Sequence, residues 1–182
     1  MFKKEKFFYI DNIQYLDFEY IKKTNAKLII RDLKHHSLLK YTNFAKKCNN
    51  NRISLYIANN TKMLFKLKSN NFYISAKNKN NYGWLKQTNK RVKLIGSAHN
   101  LNEIHEKINQ GCDQIILSRL YTTNKKGFYG VIKFNLLTLK TKQKIIALGD
   151  INRSNYKTLN MINCNGVATL SEPIKKPDFL KG

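Results

Sequence analysis

Short apolar runs alternate with helix-like stretches along the whole chain, and this alternation constrains the fold more than any other feature. Eight runs have strand character: 7–10, 27–30, 54–57, 72–74, 92–95, 114–117, 144–148 and 166–170. Between them lie segments with helical spacing. Ile13, Leu16, Tyr20 and Ile21 share one face, as do Leu38, Tyr41, Phe44 and Ala45. Asn100 followed by Glu103 makes a capping-box pattern ahead of Ile104 and Ile108. Later helices are expected over 132–140 and 153–162. Strands that alternate with helices imply βαβ units and a parallel sheet.

Three units repeat a polar residue, a short apolar strand and a serine at the strand's carboxyl end: Asn71 to Ser75, Asp113 to Ser118 and Asn165 to Ser171. Eight strands in 182 residues predict one domain over 1–182, a (β/α)8 TIM barrel that is compact with shortened helices. The helices after the third and fourth strands must be short, and the eighth stunted or missing. A doubly wound open sheet is the alternative. In either architecture, polar groups placed after successive strands gather at one rim, where ligands bind.

Composition removes several function classes. No apolar run approaches the roughly 20 residues of a membrane span. The amino-terminal apolar run stops at Asp11 after four residues, too short for an export signal, so a cytoplasmic location is expected. Cys48, Cys112 and Cys164 are far apart, odd in number and outside CxxC pairs, which argues against a zinc site or a disulfide framework. The formal charge of +23 raises nucleic acid as a partner. The excess is dispersed lysine, however, with only Arg31, Arg52, Arg91, Arg119 and Arg153 as arginines and no recognisable reading motif. Nucleic acid is therefore not the expected partner. The field instead favours phosphorylated small molecules. The oligomeric state is left open, a homo-oligomer included.

The pieces that follow the strands carry the chemistry. They are Ile30-Arg31-Asp32, Ser97-Ala98-His99, Gly111-Cys112-Asp113 leading to Ser118-Arg119-Leu120-Tyr121-Thr122-Thr123, then Lys126-Gly127, Ala147-Leu148-Gly149-Asp150-Ile151 and Gly166-Val167-Ala168. In this order and spacing the chain, over roughly residues 25 to 172, resembles the thiamine phosphate synthase/TenI superfamily in a divergent, short form. Synthases of that superfamily join a pyrimidine-methyl diphosphate to a thiazole phosphate and release pyrophosphate with the help of magnesium.

The resemblance implies a role for each piece. Arg31 would contact the diphosphate, Thr123 and Lys126 would hold it from the loop after the sixth strand, and Ser97 would face the pyrimidine or its phosphate. Backbone N–H groups near Gly149 and Ser171 would cradle the thiazole phosphate. Arg31, Ser97 and Lys126 are thus the catalytic candidates, and His99, Thr123, Gly149 and Ser171 the substrate-binding ones.

Each candidate has a plainer competitor. Arg31 could pair with Asp32 or another carboxylate, and Ser97 and Ser171 could be small residues chosen for packing. Lys126 is one lysine among many. His99 reads more readily as a structural hydrogen bonder than as a catalyst. His35 and His36 face the same rim, and His105 lies inside a helix.

The sequence also departs from the fuller pattern. The aspartates expected after strand three and near strand four, which would hold magnesium, fall on Ile57-Ala58-Asn59-Asn60 and Asn70-Asn71-Phe72. Asn59 remains the one metal-ligand candidate, and an uncharged one. The glutamine and lysine expected two residues before and after Arg31 are Ile29 and Leu33, and the Gly-Gly expected after strand seven is Gly149-Asp150. The position of the TenI histidine is Arg119, which cannot serve as an acid or base at neutral pH. That counts against tautomerase chemistry. A non-catalytic or TenI-like relative that binds a thiamine precursor is the alternative reading.

Overall fold

A computed structural model describes residues 4–121, 127–152, 154–170 and 173. Eight strands alternate with helical segments: β1 (Glu5–Ile10), α1 (Phe18–Lys23), β2 (Ala26–Ile30), α2 (Leu38–Asn50), β3 (Leu55–Ala58), α3 (Thr61–Lys66), β4 (Asn71–Ile74), α4 (Trp84–Thr88), β5 (Lys93–Ala98), α5 (Leu101–Asn109), β6 (Gln114–Ser118), α6 (Gly130–Thr138), β7 (Lys144–Leu148), a 3₁₀ segment (Tyr156–Met161) and β8 (Gly166–Thr169). The strands close into a barrel in sequence order. Every pairing is parallel, and β1 pairs with both β2 and β8. The fold is therefore the (β/α)8 barrel, and closure excludes the doubly wound sheet.

Parallel barrel strands are covered on both faces and so carry near-continuous apolar runs. β3, Leu-Tyr-Ile-Ala, is buried throughout. Side chains still alternate in direction. Phe7, Tyr9, Ile29, Tyr56, Tyr73, Ile95, Ile116, Ile146 and Ala168 share one cluster that fills the barrel. Their outward neighbours pack under the helices in two further clusters.

Short helices are held at their starts by side-chain caps. Asn60 Oδ1 accepts from Met63 N–H ahead of α3, and Asn100 Oδ1 accepts from Glu103 N–H ahead of α5. α3 has six residues and α4 five, in line with the expectation for the loops after β3 and β4.

Two helices differ from the sequence reading. α1 begins at Phe18, beyond Ile13 and Leu16. Asn12 Oδ1 accepts from Gln14 N–H, Tyr15 takes a left-handed φ of 59°, and Asp17 then supplies the cap to Tyr20 N–H. The segment expected over 153–162 is only the 3₁₀ turn Tyr156–Met161. Asn152 Oδ1 accepts from the N–H groups of Ser154 and Asn155, a local alternative to helix that Asn side chains readily offer.

One buried cation organises the loop after β4. Lys107 of α5 is fully buried, and its stem lies over Gly96, where an added Cβ would come within 2.7 Å of Lys107 Cδ. Its Nζ donates to the carbonyls of Ser75 and Asn78 and to Gln110 Oε1 at 2.8–2.9 Å. Burial pushes its pKa down from the ordinary lysine value. The β4–α4 loop is thereby anchored to α5.

Candidate active site

Residues two apart on a strand share a face. The inward rows therefore run from Tyr9 to Asp11, Ile29 to Arg31, Tyr73 to Ser75, Ile95 to Ser97 and Ile116 to Ser118, and end together at the carboxyl mouth of the barrel. Arg31 follows β2 and forms a two-point ion pair with Asp11, which follows β1; Arg31 Nε donates to Asp11 Oδ1 at 2.8 Å. The guanidinium holds the Asp11 carboxyl below its ordinary range. Its own carbon sits 5.5 Å from the centroid of the Tyr9 ring, within cation–π range.

Beneath Arg31 a chain of hydroxyls crosses the barrel. Tyr9 O–H donates to the Tyr73 hydroxyl at 3.1 Å, and Tyr73 O–H donates to Ser97 Oγ at 2.9 Å. All three residues are buried. Burial pushes the Tyr9 and Tyr73 phenols above their ordinary values, so both stay protonated at neutral pH. Because Ser97 Oγ accepts from Tyr73, its own proton is oriented as a donor. The arrangement thus presents a fixed cation and a positioned hydroxyl at one mouth.

The amide cluster beside it follows β3 and β4. Asn59 Oδ1 accepts from Ser75 N–H at 3.0 Å and from Asn78 Nδ2 at 2.9 Å, while its Nδ2 donates to Ser75 Oγ at 3.1 Å. Both acceptor positions of Asn59 Oδ1 are thereby occupied. Asn71 starts β4 and so lies at the opposite end of that strand from Asn59 and Ser75. It cannot share a ligand with them. The second amide at the site is Asn78 instead. Among the described residues no group of three or more His, Cys, Asp or Glu could hold a metal ion. The magnesium that the family resemblance implies does not fit this amide cluster, which supplies no carboxylate and whose Asn59 Oδ1 already accepts from two donors.

His99 precedes α5. Its backbone N–H donates to Glu103 Oε2 at 2.8 Å, and its Nδ1 lies 3.0 Å from the same oxygen. Burial raises the Glu103 carboxyl, but the donors on His99 and Asn100 outweigh it and hold the group low. His99 thus helps to lock the start of the helix, as its plainer reading anticipates. His36 pairs through Nε2 with Asn12 Oδ1 at 2.9 Å and stands edge-on to Tyr41.

Gly149 adopts φ 134°, and a Cβ there would lie 2.6 Å from Leu120 N. The end of β7 is bonded across to the segment after β6, with Leu120 N–H donating to Leu148 O. Close backbone approach therefore requires the glycine. Thr123, Lys126 and Ser171 lie outside the described residues.

The candidates the sequence brought forward are thus partly assembled: Arg31 and Ser97 meet through Tyr9 and Tyr73, and Asn59 stands nearby in its own amide cluster. Asp11, Tyr9, Tyr73 and Asn78 were missed by sequence reasoning. A period-two count back from Asp11 and Ser75 along their strands would have flagged the two tyrosines. A cavity of about 540 Å³ also opens at the amino end of the barrel, lined by Glu5, Lys27, Lys93, Gln114 and Lys144 among others, and is separate from this mouth.

A family model described as thiamine monophosphate synthase matches residues 29–172. A thiamine-phosphate synthase of Prochlorococcus marinus is 31% identical over 83 residues, covering 43% of this chain and 24% of that protein. One of Methanococcus vannielii is 30% identical over 91 residues, covering 48% of this chain and 44% of that protein. The matched segments thus span less than half the length of either relative. Among solved structures, a thiamine phosphate pyrophosphorylase of Pyrococcus furiosus superposes with a TM-score of 0.73 at 13% identity, covering 93% of this chain and 87% of its own. N-(5'-phosphoribosyl)anthranilate isomerase of the same organism gives 0.65 at 14% identity, covering 96% and 93%. These structural likenesses speak for the barrel alone.

Proposed function

Since the chain belongs to the thiamine monophosphate synthase family, we propose that it joins a hydroxymethylpyrimidine diphosphate to a thiazole phosphate and releases pyrophosphate. The observation that carries this reading is the convergence of Arg31 and the Tyr9–Tyr73–Ser97 hydroxyl chain at one barrel mouth. In such a transfer the bond between the pyrimidine methylene and the diphosphate oxygen breaks, and the methylene carbon bonds to the thiazole. Negative charge builds on the departing oxygens, so a cation already in place lowers the barrier.

Arg31 supplies that cation, pre-oriented by Asp11 and the face of Tyr9. Ser97 donates toward the pyrimidine or its phosphate. Thr123 and Lys126 are assigned to the diphosphate from the loop after β6, and Gly149 and Ser171 to the thiazole phosphate. The net charge of +23 would concentrate both phosphorylated substrates near the protein. No helix among the described residues is long and apolar enough to cross a membrane.

A second reading, a relative that binds a precursor without turnover, is favoured by one observation: the amide cluster of Asn59, Ser75 and Asn78 satisfies itself. One experiment separates the two. The protein is mixed with both precursors, with and without magnesium, and pyrophosphate is assayed. Pyrophosphate release supports the synthase. A raised melting temperature with either precursor and no release supports the binding relative. Neither effect would overturn both.

A further inference from the structure

Helix α6 stands out by the apolar surface that it exposes. Gly130–Thr138 reads Gly-Val-Ile-Lys-Phe-Asn-Leu-Leu-Thr, with a single basic residue in a chain that has 34 Lys and Arg. A barrel helix needs one apolar stripe toward the sheet, and buried Phe134 and Thr138 lie on it. The opposite face should be polar. Instead Ile132 is 79% exposed, Leu136 57% and, just past the helix, Leu139 73%. Spacings of four and three residues place these on one side.

Phe128 stands just before the helix, and Met161 is tied beside it by Asn135 Nδ2 donating to Met161 O at 2.8 Å. Both are more than half exposed. The one charge, Lys133, turns back toward the start of the helix, with Nζ 5.7 Å from the Tyr129 ring centroid.

These five side chains expose on the order of 500 Å² of apolar surface, as much as the largest patch on a typical monomer. That is more than half of the ~800 Å² that each partner buries in a standard interface. We propose that this face seats a second copy of the chain, the two α6 helices packing antiparallel across a two-fold axis.

An isologous contact needs one self-complementary patch, and an uncharged apolar stripe is self-complementary. An acidic partner would be drawn to the lysines that this face lacks, and a membrane surface would require them around the apolar stripe. The charge also predicts a signature. Two copies that each carry +23 repel one another, so salt strengthens the dimer by screening. Contact with an anionic partner would weaken instead.

The test is sedimentation of the full chain over a concentration series at about 0.05 and 0.5 M salt. The expected result is a dimer whose dissociation constant falls severalfold at the higher salt. Leu136→Lys and Ile132→Lys should each raise that constant at least tenfold and leave the circular-dichroism melt unchanged at a concentration low enough that parent and variant are both monomers, because both side chains already face water in the monomer. A monomer at every concentration and salt, a dimer that loosens with salt, or variants that dimerise like the parent would overturn the proposal. If one variant fails to fold, the other and the salt dependence of the parent still decide. None of these readings depends on which reaction the barrel catalyses.

Discussion

The Tyr73 hydroxyl donates to Ser97 Oγ across 2.9 Å, joining the carboxyl ends of two adjacent strands inside the barrel. Tyr9 donates to Tyr73 in turn, so the serine that the motif singled out is the last member of a buried relay of hydroxyls. Removing any one member leaves another without its partner.

Tyr73→Phe should therefore lower stability by about 1–3 kcal/mol, because Tyr9 O–H loses its acceptor in a dry interior. Tyr9→Phe combined with Tyr73→Phe should cost less than the sum of the single changes, since the second removes the orphan left by the first. Chemical denaturation of the four proteins in the cycle measures this. Strict additivity would mean that the two hydroxyls do not interact.

Arg31→Ala and Lys126→Ala should each reduce pyrophosphate release far more than stability. For Arg31 the loss is on the order of 100-fold or more, the scale of one removed charge stabiliser. Its exposed pair with Asp11 contributes no more than about 1 kcal/mol to folding. Equal loss of activity and folding in either variant would contradict its assignment.

Asn59→Asp should strengthen magnesium binding at the amide cluster. The new carboxylate can keep the hydrogen bonds from Ser75 and Asn78 and adds the charge that an amide cannot supply. The melting temperature of the variant should rise by about 2 °C or more with millimolar magnesium. The parent should hardly respond, and a parent that gained as much would show that the amide cluster opens to take the ion.

Lys107→Met should destabilise the protein by about 2–4 kcal/mol, because the carbonyls of Ser75 and Asn78 and Gln110 Oε1 lose their shared donor. Hydrogen exchange should report the largest loss of protection in the β4–α4 loop. Uniform loss across the barrel would mean that the lysine acts only as packing.

Alkaline pH should unfold the protein through its buried phenols. Burial raises the Tyr9, Tyr56 and Tyr73 pKa values in the folded state above the ordinary 10.0. Their contribution is complete below pH 10 and is lost as pH rises through 10, where the unfolded chain gives up these protons first. Lys107, with a lowered folded value, acts in the opposite direction just below 10.5 and offsets part of the loss. Denaturant midpoints from pH 8 to 11 should fall, and less steeply in Tyr73→Phe.

The alternation of eight apolar runs with helical stretches, together with the capping pattern at Asn100, was enough to predict a parallel sheet with a (β/α)8 barrel as its first reading and to bring the strand-end residues to one rim. Closure itself, which excludes the doubly wound sheet, is seen only in the structure. Period and chain length are local quantities, and a parallel sheet of that many crossovers has few ways to close. Motif order likewise singled out Arg31, Ser97 and Asn59.

The tertiary structure decided which groups touch. Asp11, rather than Asp32, pairs with Arg31; Tyr73 reaches Ser97; Asn78, rather than Asn71, meets Asn59; and Lys107 holds the loop that carries Asn78. These contacts span from 19 to 29 residues and depend on strand register and on which way each loop turns. No property of a residue and its chain neighbours encodes such pairings, because they form only when closure of the barrel sets distant strands side by side.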